Sequence, residues 1–284
     1  NRFQDAFALF DEMLKRKGLN AVDKFIATTM FSACSGMCAL QQGEWLHSVV
    51  RKYKLKIDSK LATAIVDMYC KCGSLDKALH VFDELPRKSL STWNAMIGGL
   101  AMFGDGHGAI TLFARMEKEK TPPDSITFVN LLCACAHSGL VQKGRELFTH
   151  MSEVYGIKPT AEIIGCMATL LARAGLIEEA KVLIDEYPSF ADVSLYGALA
   201  GSSVYNKNTQ LGEEMAIRAI ELEPNNSGRY SLLSNIYADA DRWHDVSRVR
   251  KVMNDRSVTK VPGCSTIEID GTVTEFFSGG SRHP

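Results

Sequence analysis

Apolar and polar residues alternate with a helical period along most of the chain, and the stretch from Leu90 to Asp124 shows the pattern best. Trp93, Met96, Ile97 and Leu100 mark one face of a first helix, and Gly104 suits the left-handed turn that ends it. Ala109, Leu112, Phe113 and Met116 then follow the i, i+3, i+4, i+7 spacing of a second helix. Pro122-Pro123 closes the unit, because proline cannot continue a helix.

One such pair cannot bury the apolar faces of both its helices, so the pattern must recur. Small residues equivalent to Ala109 stand at Ala6, Gly43, Ala78, Gly144, Ala180 and Gly212, with successive spacings of 37, 35, 31, 35, 36 and 32 residues. Gly73, Gly104, Gly139 and Gly175 each precede such a marker by five residues, where the chain must turn. Phe10, Phe82, Phe113, Phe148 and Ile184 lie four residues after one. This is the signature of stacked helix pairs. The expected fold is all-α, a right-handed α-solenoid of helix-turn-helix repeats.

The period divides the chain into a partial repeat at 1–23 and full units at 24–58, 59–89, 90–124, 125–160 and 161–192. Two further units of 34 residues follow at 193–226 and 227–260. Gly212, Ala216, Ala219 and Pro224 carry the spacing of a tetratricopeptide repeat. From residue 261 the period changes. TIEIDGTVTEFF alternates apolar and polar residues about Asp270-Gly271, which predicts a small C-terminal β-hairpin.

Composition narrows the chemistry. The 284 residues carry a net charge of −1 and 46% hydrophobic content, with no apolar run of membrane-spanning length. No membrane association is expected. The eight cysteines include no Cys-x-x-Cys, and His-x-Glu is absent, so zinc is not expected. Cys34 and Cys135 occupy the same place in their repeats, where a small apolar side chain packs, and the thiols are expected to be free in a reducing compartment. Acidic residues fall at the ordinary spacing of solvated helix faces, which argues against a nuclease-like metal site. The chain is expected to be no enzyme by itself, with no cofactor and no small-molecule substrate.

The unit lengths of 35, 31, 35, 36 and 32 residues, together with several strings, carry a family resemblance. DMYCKCGSLDKALHVFDELP, TWNAMIGGLAMFG, LLCACAHSGLVQKGRELFTHMSEVYGIKP and CMATLLARAGLIEEAKVLI resemble the S, P, L and final S motifs of plant pentatricopeptide repeat proteins of the PLS subclass. YGALAGSSVYNKNTQLGEEMAIRAIELEPNN and SLLSNIYADADRWHDVSRVRKVM resemble the two E motifs, and VPGCSTIEIDGTVTEFFSGGSRHP the segment that links them to a DYW domain. Starting inside a repeat and without methionine, the chain is expected to be the C-terminal part of a longer protein.

The resemblance implies one RNA base per repeat, read by the fifth and last residues of each unit. Those pairs are Thr28 with Asp58, Thr63 with Ser89, Asn94 with Asp124, Val129 with Thr160, and Gly165 with Asp192. The Asn94 amide offers a donor and an acceptor that match a pyrimidine edge, and with Asp124 the pair resembles a uracil reader. Thr28 with Asp58 resembles a guanine reader, and Thr63 with Ser89 leans to a purine. Val129, without a polar group, implies little readout. Phe25 and Ile126, at second positions, are expected to sandwich bases, whereas Lys60, Ser91 and Glu162 depart from the apolar residue usual there. Thr266 likewise replaces a usual tryptophan.

By resemblance the chain is the site-recognition part of an organellar factor, in mitochondrion or chloroplast, for C-to-U editing of single-stranded RNA. Its E region would recruit a deaminase-bearing protein partner. Tyr237 and Trp243 are candidates for that contact, with packing of the final core as the other role open to them. The competing expectation is a tetratricopeptide-like scaffold that binds protein throughout.

Overall fold

The computed structural model describes residues 3–190, 192–205, 207–260, 262–269 and 272–278. Among them are fifteen α-helices, and the first is α1 (Phe3–Lys17). Seven pairs follow: α2 (Lys24–Met37) with α3 (Leu40–Lys52), α4 (Ser59–Lys71) with α5 (Leu75–Glu84), and α6 (Leu90–Met102) with α7 (Gly106–Lys118). Next come α8 (Ser125–Ser138) with α9 (Val141–Glu153), and α10 (Ala161–Arg173) with α11 (Ile177–Glu186). The last two pairs are α12 (Val193–Tyr205) with α13 (Thr209–Leu222), and α14 (Ser227–Asp239) with α15 (Trp243–Asp255). Strands β1 (Cys264–Ile269) and β2 (Thr272–Phe277) close the described chain.

These elements form two compact units, one of Asn1–Phe103, Thr111–Pro122 and Pro262–Pro284, the other of Gly104–Ile110 and Pro123–Val261. In the first unit α2 packs on α4 and α4 on α6, so the first helices of successive pairs stack in a row. Phe31, Leu46, Leu61, Ile65, Met68, Phe82, Trp93 and Met96 fill its core, all but fully buried. Gly43 lies against the Met68 side chain so closely that a Cβ would collide with the thioether. In the second unit α8, α10 and α12 stack in the same manner, and α12 through α15 close around Leu199, Met215, Tyr230, Ile236 and Tyr237. The markers Ala78, Ala109 and Ala180 are buried at 0 to 2% exposed, as close helix approach requires.

Local chemistry fixes where each helix starts and stops. Asp23, Asp58 and Ser89 cap α2, α4 and α6 by accepting from backbone N–H groups, and Asp124 and Thr160 do so at α8 and α10. Asp192 accepts from Leu195 N at 2.8 Å, and Asn226 caps α14. A short oxygen-bearing side chain there stabilises a helix by about 1 kcal/mol relative to alanine. The turn glycines Gly73, Gly104, Gly139 and Gly175 have φ of 82°, 71°, 68° and 79°. Cys38 and Lys207 hold the same left-handed conformation, at φ 52° and 53°, without glycine's freedom.

Ion pairs join the second helices of neighbouring repeats. Glu44 pairs with Lys77 and Arg51 with Glu84 between α3 and α5, and Asp83 with Arg115 between α5 and α7. Arg145 pairs with Glu179 between α9 and α11, and Glu213 of α13 with Arg242 at the start of α15. Such exposed pairs contribute at most about 1 kcal/mol each.

Strands β1 and β2 pair antiparallel, Cys264 opposite Phe277 and Ile269 opposite Thr272, as the alternation predicts. Asp270, Gly271 and the side chain of Thr266 lie outside the described residues. All eight cysteines are free, with Cys34 and Cys135 buried. No described helix is long and apolar enough to cross a membrane.

Candidate nucleic-acid interface

Because the last residue of one unit caps the first helix of the next, the second residue of each first helix stands on the first turn, clear of the stack. Phe25, Lys60, Ser91, Ile126 and Glu162 are all exposed. Phe25 at 69% and Ile126 at 56% are apolar side chains left largely in water. Lys24 Nζ sits 5.0 Å from the Phe25 ring centre.

In unit 24–58 the Lys24 ammonium also donates to Asp58 Oδ2 at 2.8 Å, while Asp58 Oδ1 accepts from Leu61 N at 3.0 Å. The Lys24 hydrogen bond, followed by that from Leu61, holds the Asp58 carboxyl below its ordinary range. Asp58 is therefore an ionised, acceptor-only group with a cation beside it. Thr28 spends its proton on Lys24 O at 2.7 Å. Both predicted readers thus meet at Lys24, which the sequence did not single out.

Unit 59–89 brings its two readers together through a third residue. Thr63 Oγ1 lies 3.0 Å from Thr92 Oγ1, which lies 2.9 Å from Ser89 Oγ. Thr63 also donates to Ser59 O at 2.8 Å, and Thr92 N donates to Ser89 Oγ at 3.3 Å. Thr92 is 1% exposed, whereas Thr63 and Ser89 are half-buried.

The remaining positions differ from one another. Asn94 is 8% exposed, the most covered of the predicted readers in its unit of the fold. Asp124 builds a capping box with Thr127, accepting from Thr127 N at 2.9 Å while Asp124 N donates to Thr127 Oγ1 at 3.1 Å. Val129 is half-buried, with the Cys166 thiol 3.8 Å from its carbonyl. Thr160 donates to Glu162 Oε2 at 2.7 Å, a bond that leads in holding Glu162 below the usual carboxylate range. Gly165 has open space where a Cβ would stand, and Asp192 is exposed.

Among the candidate partner residues the structure separates two that the sequence grouped. Tyr237 is 1% exposed, and the Arg242 guanidinium lies 4.5 Å from its ring centre, so it belongs to the packed interior and not to a contact surface. Trp243 stands 62% exposed. Among the described residues no cluster of three or more His, Cys, Asp or Glu side chains is placed to hold a metal ion.

Comparison with known proteins gives a consistent picture. The model of the PPR repeat matches residues 62–90 and 126–154, that of the PPR repeat family residues 88–137, and that of the E motif residues 205–268. A mitochondrial pentatricopeptide repeat-containing protein of Arabidopsis thaliana is 41% identical over 283 residues, covering all of this chain and 41% of that protein. A chloroplastic one from the same plant is 43% identical, covering all of this chain and 38% of that protein. The chain therefore spans about two fifths of the length of these relatives. Among solved structures, the maize pentatricopeptide repeat protein PPR10 matches with a TM-score of 0.61 at 19% identity, over 92% of this chain and 38% of that one. PPR10 in complex with an 18-nt psaJ RNA element matches at 0.57 and 15% identity, over 90% and 43%. A tetratricopeptide repeat protein from Parabacteroides merdae matches at 0.51 and 11% identity, over 82% and 98%. At these identities the likeness establishes the helical-repeat fold.

Proposed function

We propose that this chain, which carries pentatricopeptide repeats and an E motif, binds single-stranded RNA unit by unit as the recognition part of a C-to-U editing factor in a mitochondrion or chloroplast. The observation that carries this reading is the start of each first helix. An exposed second residue, a fifth residue one turn on and a capping last residue recur there, and in units 24–58 and 59–89 the fifth and last residues meet through a hydrogen-bonded intermediary.

The chemistry of each unit follows from which protons are committed. In unit 24–58 the Thr28 proton is held by Lys24 O, so Thr28 and Asp58 offer acceptors while Lys24 supplies a donor. That suits the guanine edge, with two adjacent N–H groups beside a carbonyl. Asn94, Asp124, Val129, Thr160, Gly165 and Asp192 take the parallel places in the units that follow. The exposed faces of Phe25 and Ile126 supply stacking, which is worth about 1–3 kcal/mol per base and tolerates any sequence.

Residues 193–260 serve the second half of the function, a protein contact that brings in the deaminase. Exposed Trp243, Ile217 and Leu222 at 62%, 40% and 56% favour this over RNA binding in that region. A scaffold that binds protein along its whole length is the other reading, and a titration separates the two. The full-length protein is expected to shift a panel of single-stranded RNAs in a gel, sequence-selectively, and to leave matched duplexes unbound. Failure to bind every RNA in the panel removes the RNA-binding reading.

A further inference from the structure

We infer that Thr92 is a positioning residue for base selection, one that takes up the hydroxyl proton of Ser89 while that of Thr63 is held by Ser59 O, so that unit 59–89 presents only acceptors and selects a base bearing an exocyclic amine over uracil. The inference rests on Thr63 and Ser89 being the base readers of that unit.

Counting protons yields the direction. Three hydroxyls share three bonds that need a hydroxyl donor: Thr63 to Ser59 O, Thr63 to Thr92, and Thr92 to Ser89. A carbonyl oxygen only accepts, so Thr63 must donate to Ser59 O. Its proton is then spent, and Thr92 must donate to Thr63. The Thr92 proton is spent in turn, and Ser89 must donate to Thr92. Ser89 also accepts from Thr92 N. Every proton is committed, and each of the two half-buried hydroxyls keeps one lone pair for an incoming group.

Thr92, at 1% exposed, cannot touch a base and acts only through this chain. An acceptor-only pair accepts from the amino group of adenine, cytosine or guanine, whereas uracil offers only its central N3–H, and the two carbonyls flanking it would face lone pairs without a donor. Reversing the chain to offer a donor would leave the Ser59 carbonyl without its Thr63 bond. One net hydrogen bond of this kind corresponds to roughly a fivefold preference.

The test is selection by the full-length protein from a pool of single-stranded RNAs with randomised positions, followed by sequencing of the bound fraction. Thr63→Ala identifies the nucleotide that this unit reads. At that nucleotide the wild-type protein is expected to favour amino-bearing bases over uracil. Thr92→Val, which keeps the shape but frees the Ser89 proton while Thr63 still donates to Ser59 O, is expected to remove about fivefold of that preference at this one nucleotide and leave the others unchanged. Thr92→Ser is expected to keep it. On the selected RNA, exchanging the amino-bearing base for its desamino analogue is expected to weaken wild-type binding by about fivefold, a measurement that needs no variant. RNA selection that shows no amine preference at this nucleotide, an unchanged preference in Thr92→Val, or Thr92→Ser behaving like Thr92→Val would overturn the inference while leaving RNA binding standing. If the wild-type protein selects no RNA, the base-reading assignment itself falls, and this inference with it.

Discussion

Replacing Trp93 by alanine is expected to destabilise the protein by about 3–5 kcal/mol, the range for removing a large aromatic side chain from a close-packed core. Trp93 is 0% exposed on the first helix of unit 90–124. Its ring meets Phe82 edge-on, with centroids 4.9 Å apart and planes at 77°. The Arg115 guanidinium and the Lys88 ammonium lie 5.8 and 6.0 Å from its centre, and both cations also approach Phe82. A cavity there would loosen two second-helix side chains and the ion pair from Arg115 to Asp83. Trp93→Phe should be far milder, because the indole Nε1 finds no hydrogen-bond partner among the described residues and its removal takes away a buried, unsatisfied donor. Urea denaturation of the three proteins checks this. A loss under about 1 kcal/mol for the alanine variant would show that the site collapses without cost.

Acid is expected to remove about 3 kcal/mol of stability through one residue, His47. Burial is the leading cause that lowers its pKa from 6.5 to about 4, with Arg51 adding to the effect and Glu84 opposing it. His47 Nδ1 lies 2.9 Å from the hydroxyl of Tyr69, whose own pKa burial raises to about 12. Glu44, Lys77 and His80 also line the surrounding cavity. Between pH 6.5 and 4 the unfolded chain binds a proton at this imidazole and the folded chain does not. The contribution is therefore complete above pH 6.5 and is lost as pH falls toward 4. Unit 24–58 carries histidine where other units place phenylalanine, so His47→Phe is the natural comparison. Its stability should fall less than wild type between pH 7 and pH 4, and parallel acid profiles for the two proteins would refute the assignment.

The features legible in the sequence were those that sterics dictates over a few residues. Glycines at a fixed offset from each small marker signalled left-handed turns, and Gly73, Gly104, Gly139 and Gly175 adopt them. Cys38 and Lys207 make the same turn invisibly, because a residue other than glycine gives no sign in the sequence that its backbone turns left-handed. At the ends of the units the sequence showed oxygen-bearing residues and the resemblance named them base readers. The structure adds that Asp58, Ser89, Asp124, Thr160 and Asp192 are first of all helix caps. A cap consumes one acceptor site and fixes the side chain, which is why only a small set of residue types can occupy this place.

Longer-range polar contacts were not legible. Thr92 looks like any threonine near a helix start, and its partner Thr63 lies 29 residues earlier. Nothing in the sequence marked out Lys24, whose ammonium joins Asp58, 34 residues on. Tyr237 and Trp243 looked alike as aromatic anchors. Helical phase alone did not show that Tyr237 faces the closing core while Trp243, the first residue of α15, faces water.

The most direct test of unit-by-unit reading is to change one fifth residue and sequence the RNA that the full-length protein selects. Thr28→Asn puts an amide, with a donor to offer, where the wild-type threonine has its proton committed to Lys24 O, and leaves Asp58 in place. At a single nucleotide the preference should move from guanine to uracil, a change of about 100-fold in their ratio if each base is favoured about tenfold by its own pair, with neighbouring nucleotides unaltered. A selection profile identical to wild type, or one altered at several nucleotides at once, would contradict a row of independent readers.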